Sequence, residues 1–197
     1  MTQDLQRIQI KIPSVAPPDL NLDPFVEIFA RWRLDKKHPA EWLDVADYAH
    51  VVRGPGIVLV GLRSNFSFDL AAPAPGILFA ARKGLTGSAA ERILSALRWC
   101  LELSQRLATE NEFPAAARLR TDSLVLRFND RLDTPNTFET DQALRPAVTQ
   151  ALDALYGAGT YELIPEGDPK ECYGFSVRAR AAESLEALLA RLAQVHS

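Results

Sequence analysis

The chain has 197 residues, with 25 acidic against 22 basic side chains and a formal charge of -3. That length buries a sizeable core, and the charge lacks the basic footprint of dense phosphate contact, which argues against nucleic acid as the partner. Apolar residues make up 47% and charged ones 24%, as in ordinary globular domains.

No apolar stretch approaches the roughly 20 residues that span a bilayer. Asp4 and Pro13 interrupt any basic-then-apolar leader. Cys100 and Cys172 lie far apart without paired spacing, which fits buried structural thiols in a reducing compartment better than a disulfide framework. The expectation is a soluble cytoplasmic protein with no membrane contact.

In chain order, residues 6–12 alternate, with Ile8, Ile10 and Ile12 on one face, and predict a half-buried strand. Pro13, Pro17 and Pro18 make an extended connection. Asp23-Pro24 predicts a helix start, and Phe25, Phe29 and Trp32 then form an apolar stripe that reads as core. His38-Pro39 closes that helix, and His38 reads as a cap or surface residue.

The stretch 42–52 supports two readings. As a helix, Trp42, Val45, Ala46 and Ala49 share a stripe; as a strand, Leu43, Val45, Asp47, Ala49 and Val51 share one face. The turn Gly54-Pro55-Gly56 and the apolar strand Ile57-Val58-Leu59-Val60 beyond it favour the strand. A turn over 53–56 sets Tyr48 opposite Gly61, an aromatic ring covering a strand glycine. Residues 42–82 thus read as a meander of three or four antiparallel strands. The capping box Ser88-Ala-Ala-Glu91 opens a helix to about Thr109.

The second half predicts a strand over 123–128 and a helix over 137–156, kinked or restarted at Pro146. A hairpin follows over 160–165 and 172–180, then a final amphipathic helix over 182–195. The fold class is therefore α+β, antiparallel sheet with four principal helices, as one domain over 1–197. The recurring order of strand, helix, hairpin and helix suggests a duplication with halves 1–110 and 111–197, since Ile93 aligns with Leu185 and Leu97 with Leu189.

The sequence carries no phosphate loop, dinucleotide fingerprint, nucleophile elbow or zinc spacing, so no cofactor and no metal is expected. What remains is Asp44, Asp47, Tyr48 and His50. On a helix, Asp44, Asp47 and His50 would offer hard ligands to a divalent cation. On a strand, Asp47 points away from the other three onto an apolar face with Val58 and Val60, where a carboxylate needs donors or takes up a proton. Trp42, Asp44, Tyr48, His50, Arg63 and Asn65 would then share the opposite face, a mixture suited to a polar or anionic small molecule or to a contact surface.

Arg118, Arg120, Arg127 and Arg131, interleaved with Asp122, Asp130 and Asp133, read as a solvated, self-paired face. His196, near the C-terminus, is given no role.

The run Asp44-Val45-Ala46-Asp47-Tyr48-Ala49-His50-Val51, followed by Gly54-Pro55-Gly56 and Val58-Leu59-Val60-Gly61, resembles a group of uncharacterised bacterial proteins over residues 42–83. The resemblance implies a bacterial protein and no particular chemistry. The leading functional expectation is a module binding a small molecule or a protein through Asp44, Tyr48, His50, Arg63 and Asn65. The rivals are an enzyme using Asp47 or His50 as acid or base, with or without a metal, and an assembly protein forming a homodimer.

Overall fold

The computed structural model describes residues 4–17, 19–35 and 38–194. Pro18, Val195 and His196 lie outside the described residues. The elements run β1 (Ile8–Pro13), α1 (Asp23–Arg33), β2 (Trp42–Tyr48), β3 (Gly56–Gly61), β4 (Ser64–Asp69), β5 (Gly76–Ala81), α2 (Ala89–Ala108), β6 (Ser123–Phe128), α3 (Phe138–Tyr156), β7 (Tyr161–Pro165), β8 (Gly174–Ala179) and α4 (Leu185–Gln194). The fold is α+β, with one antiparallel sheet of eight strands ordered β2-β3-β4-β5-β1-β6-β8-β7.

Each local start has its expected cause. Ser88 accepts from the Glu91 amide while Glu91 caps Ser88 in return, so α2 begins in a complete capping box. Helix α1 starts one residue earlier than its sequence suggests. Leu22 is the N-cap, and Asp23 and Pro24 occupy the first turn, where a carboxylate and a missing amide are both favourable. Pro146 sits inside α3, which continues through it as one helix.

One face of the sheet carries the core. Ile8, Ile10 and Ile12 join Ile57, Leu59, Phe66, Phe68, Ile77 and Phe79 there, all buried. Helix α1 packs on β2 and β3, α2 packs on β1 and β5, and α3 and α4 pack against α2. Phe25 stacks on Phe68 at 4.3 Å and Trp32 on Phe66 at 6.0 Å, so the aromatic stripe of α1 is core. Each such ring contributes about 2 kcal/mol of burial.

The other face shows, in register across the sheet, Val58, Ser67, Leu78, Lys11, Val125 and Ser176. Lys11 is buried within it and donates to Asp69 at 2.5 Å and to the Ala71 carbonyl at 2.6 Å.

The two ends of the chain arrange their strands alike. β1 pairs with β5, β6 pairs with β8, and β1 and β6 meet at the centre. Gly76 and Gly174 occupy matching places: a Cβ would lie 2.3 Å from the Ile12 carbonyl oxygen at the first and 2.4 Å from that of Leu126 at the second. Among the described residues no helix is long and apolar enough to cross a membrane.

Of the two readings of 42–52, the strand is the one adopted, with three differences. β2 ends at Tyr48, not Val52, and successive turns bridge to β3, the Val51 and Gly54 amides donating to the Tyr48 and Val51 carbonyls. Tyr48 consequently faces Gly56, and it is Trp42 that pairs with Gly61. An irregularity between Trp42 and Asp44 rotates the strand, placing the buried Trp42 on the core side and Asp44 in register with Val60 on the other.

Candidate functional site

The connection from α1 to β2 is fastened to the turn between β3 and β4. The Leu62 amide donates to the Glu41 carbonyl at 3.1 Å and the Arg63 amide to that of Ala40 at 3.2 Å. Glu41 takes a left-handed conformation, φ 53°, to make the corner. This fastening brings His38 onto Trp42, ring over ring at 4.8 Å, and sets Ser64 at the head of β4 beside them. Gly61 lets it happen: a Cβ there would lie 2.9 Å from the Trp42 ring and 2.4 Å from the Ser64 carbonyl oxygen.

Between this corner and α2 lies a cavity of about 190 Å³. Its far wall is one face of α2, formed by Trp99, Glu102, Leu103 and Arg106 at helical spacing. Phe79 closes the floor, edge-to-face with Trp99 at 6.1 Å. His38, Ala40 and Ser64 complete the near wall.

The polar groups of this cavity differ in how well they are satisfied. Arg106 lies 4.2 Å over the Trp32 ring and 3.5 Å from Asp35, so its charge is engaged. The Trp32 indole donates to Glu110 at 2.6 Å, and Arg31 pairs with the same carboxylate. Burial acts to raise Glu110, but these two donors prevail and hold it below its ordinary value.

His38 is pushed down by burial, with the Arg106 cation acting in the same sense. Its Nδ1 accepts from the Ala40 amide at 3.1 Å, which assigns the proton of the neutral ring to Nε2. Glu102, at the mouth, is raised by burial against the pull of Arg98.

Ser64 stands apart. It is 0% exposed, and its Oγ finds no hydrogen-bond partner among the described residues; the buried Trp42 Nε1 behind it finds none either. A buried hydroxyl left unpaired costs about 1–3 kcal/mol. Among the described residues no base is hydrogen-bonded to Ser64, whose hydroxyl is left as an open donor and acceptor.

The residues singled out by sequence are distributed differently. Asp44 is exposed and accepts from the Val45 amide at 2.9 Å; Asp47 is exposed and accepts from the Ala49 amide at 2.8 Å. Asp47 pairs in register with Ile57, on the core side of the sheet but at its open end, so water solvates it and no apolar surface covers it. Val58 and Val60 lie on the other side, opposite Ala46 and Asp44.

His50 is exposed in the turn and Tyr48 is 43% exposed. Arg63 pairs with Glu41 at 2.8 Å, at the other end of the β2–β3 hairpin from Tyr48 and His50, so these three do not converge. Asn65 accepts from the Gly61 amide at 3.3 Å. Among the described residues no group of three or more His, Cys, Asp or Glu is placed to hold a metal ion.

The sequence reads His38 as a cap or surface residue and gives no role to Ser64 or to this α2 face. The signal was the spacing of Trp99, Glu102, Leu103 and Arg106, a stripe that sits beside the apolar one of the same helix. No family model matches the chain, and no curated protein matches it.

Proposed function

We propose that the protein binds a small, largely apolar molecule carrying one hydrogen-bonding group, in the cavity between α2 and the head of β4. The observation that carries this is the fully buried Ser64 hydroxyl, unpaired in the wall of a cavity of about 190 Å³. A dry apolar cavity of about 150 Å³ accommodates benzene, so a one-ring or fused two-ring compound fits. Phe79 and Trp99 offer their rings to it, and Ser64 offers a donor and acceptor that fix its orientation.

A cytoplasmic setting in a bacterial cell belongs to the same reading, supported by two free thiols at Cys100 and Cys172.

Indole is the probe. Titration followed by protein NMR shifts is expected to saturate with the Trp99 indole and the Phe79 ring among the perturbed signals. Leu103→Trp, which fills the cavity from α2, abolishes that binding, and Ser64→Ala weakens it by about two- to tenfold through loss of one hydrogen bond. Indole shifts that survive Leu103→Trp unchanged would show that the cavity is not the site.

A further inference from the structure

On the sheet face away from the helices, a second hollow of about 650 Å³ opens over Gln9 and Asn65, with Arg7, Arg82, Lys83 and Asn129 around it. Strand pairing explains why cations gather there. Gln9 stands opposite Ala80 in β5 and opposite Arg127 in β6. Continuing the β1–β5 register by two residues sets Arg7 opposite Arg82. The Asn129 amide donates to the Arg7 carbonyl at 2.7 Å, bringing that side chain alongside.

Two guanidinium groups, Arg7 and Arg82, thus line the hollow from neighbouring strand ends, with the Lys83 ammonium beside them and Arg127 further along on β6. Like charges across strands destabilise a sheet. Asp130 lies against this group, 3.7 Å from Arg7. This concentration of positive charge sits in a chain whose net charge is -3.

The neutral side chains point to the same chemistry. Asn65 Oδ1 accepts from the Gly61 amide and Asn129 Oδ1 from the Cys172 thiol at 3.5 Å, and the N–H donors of both amides make no hydrogen bond among the described residues. The Gln9 carboxamide makes no hydrogen bond among the described residues. Arg82 donates to the Gly61 carbonyl at 3.4 Å, which holds its guanidinium over the hollow. Donors from four strands or strand ends therefore face one solvent-filled space.

We propose that this hollow is a binding site for a small, multiply charged oxyanion, the shared chemistry of a di- or triphosphate and a polycarboxylate. Its floor is built on paired strands. Forked guanidinium donors at adjacent strand ends match oxyanion edges, and the anion relieves the repulsion among Arg7, Arg82 and Lys83. The site is separate from the cavity beneath α2 and independent of what that cavity holds.

Calorimetric titration with sodium pyrophosphate and, separately, sodium citrate tests it, each against sodium chloride at matched ionic strength. One-to-one binding with a submillimolar Kd is expected for at least one of the two. Binding of pyrophosphate alone assigns the phosphate class, of citrate alone the polycarboxylate class, and of both the shared chemistry.

The double variant Arg7→Gln/Arg82→Gln is expected to weaken binding at least tenfold while circular dichroism and indole binding stay unchanged. A charge-reversed Lys83→Glu protein gives a second reading at an exposed position. Heat no larger than that with sodium chloride, or pyrophosphate and citrate affinities untouched by both variants, overturns the proposal.

Discussion

Ser64 shows how one hydroxyl can work against stability. Its side chain is 0% exposed and its Oγ has no partner among the described residues, so its burial carries a desolvation cost. Ser64→Ala is therefore expected to raise the stability of the unliganded protein by about 1 kcal/mol, read as a higher urea midpoint at unchanged slope. A lower midpoint would mean that the hydroxyl is satisfied in solution. Little of this was legible in the sequence, because a serine at the head of a strand resembles any turn serine. Whether its oxygen is orphaned depends on the Trp42 ring, the fastened 38–41 corner and the α2 face closing around it. Cys100 is the reverse case. Its helical apolar setting already read as core, and burial pushes its thiol up to about 12.

At the scale of elements, the alternation of β1 and the capping box of α2 were readable because each is set by neighbours within four residues. The β2–β3 hairpin was recognisable as a hairpin, but its register was not. Arg53 in a left-handed conformation (φ 55°) and Gly56 (φ 62°) set the shape of a longer connection. A Cβ on Gly56 would lie 2.0 Å from the Phe68 carbonyl oxygen, in the next strand, and no local pattern announces that contact.

The fate of Asp44 and Asp47 follows from the same geometry. β2 is an edge strand, and these carboxylates occupy amides of their own segment, Val45 and Ala49. A charged edge with the Val45 donor taken, next to a strand irregularity, is a poor template for another chain. Replacing both acids, Asp44→Thr with Asp47→Thr, is expected to promote concentration-dependent self-association in light scattering. Unaltered scattering at high concentration would mean that the irregularity alone protects the edge.

For the whole molecule, the class and the helix count followed from pattern, whereas the merging of all eight strands into one sheet did not. The pairing of β1 with β6 joins Ile8 to Phe128 and Lys11 to Val125, far beyond any sequence window. Stability toward base is also a property of the whole. Burial raises the phenols of Tyr156 and Tyr173 well above their ordinary value of 10.0; the first donates to the Thr121 carbonyl at 3.1 Å and the second to Asp141 at 3.0 Å.

A group raised in the folded state contributes fully below its unfolded value and loses that contribution as pH climbs past it. Lys11, lowered by burial from 10.5, acts in the opposite sense just below that pH. Urea midpoints are therefore expected to fall steeply above about pH 10.5. The tyrosinate absorbance of Tyr156 and Tyr173 should rise in step with unfolding, and its appearance before unfolding would contradict their burial.

The central position of β1 carries a consequence for biosynthesis. As the chain leaves the ribosome, β1 can pair with β5 once Gly76–Ala81 has emerged, but its other edge awaits Ser123–Phe128. At about 5–20 residues per second, that interval lasts some seconds. Throughout it the nascent sheet keeps an unpaired backbone edge along β1, while α2 emerges to cover the apolar face of that strand. The half-made protein is thus the form most in need of a holdase, and a synthesis pause placed before β6 would lengthen the period in which two nascent chains can pair through β1.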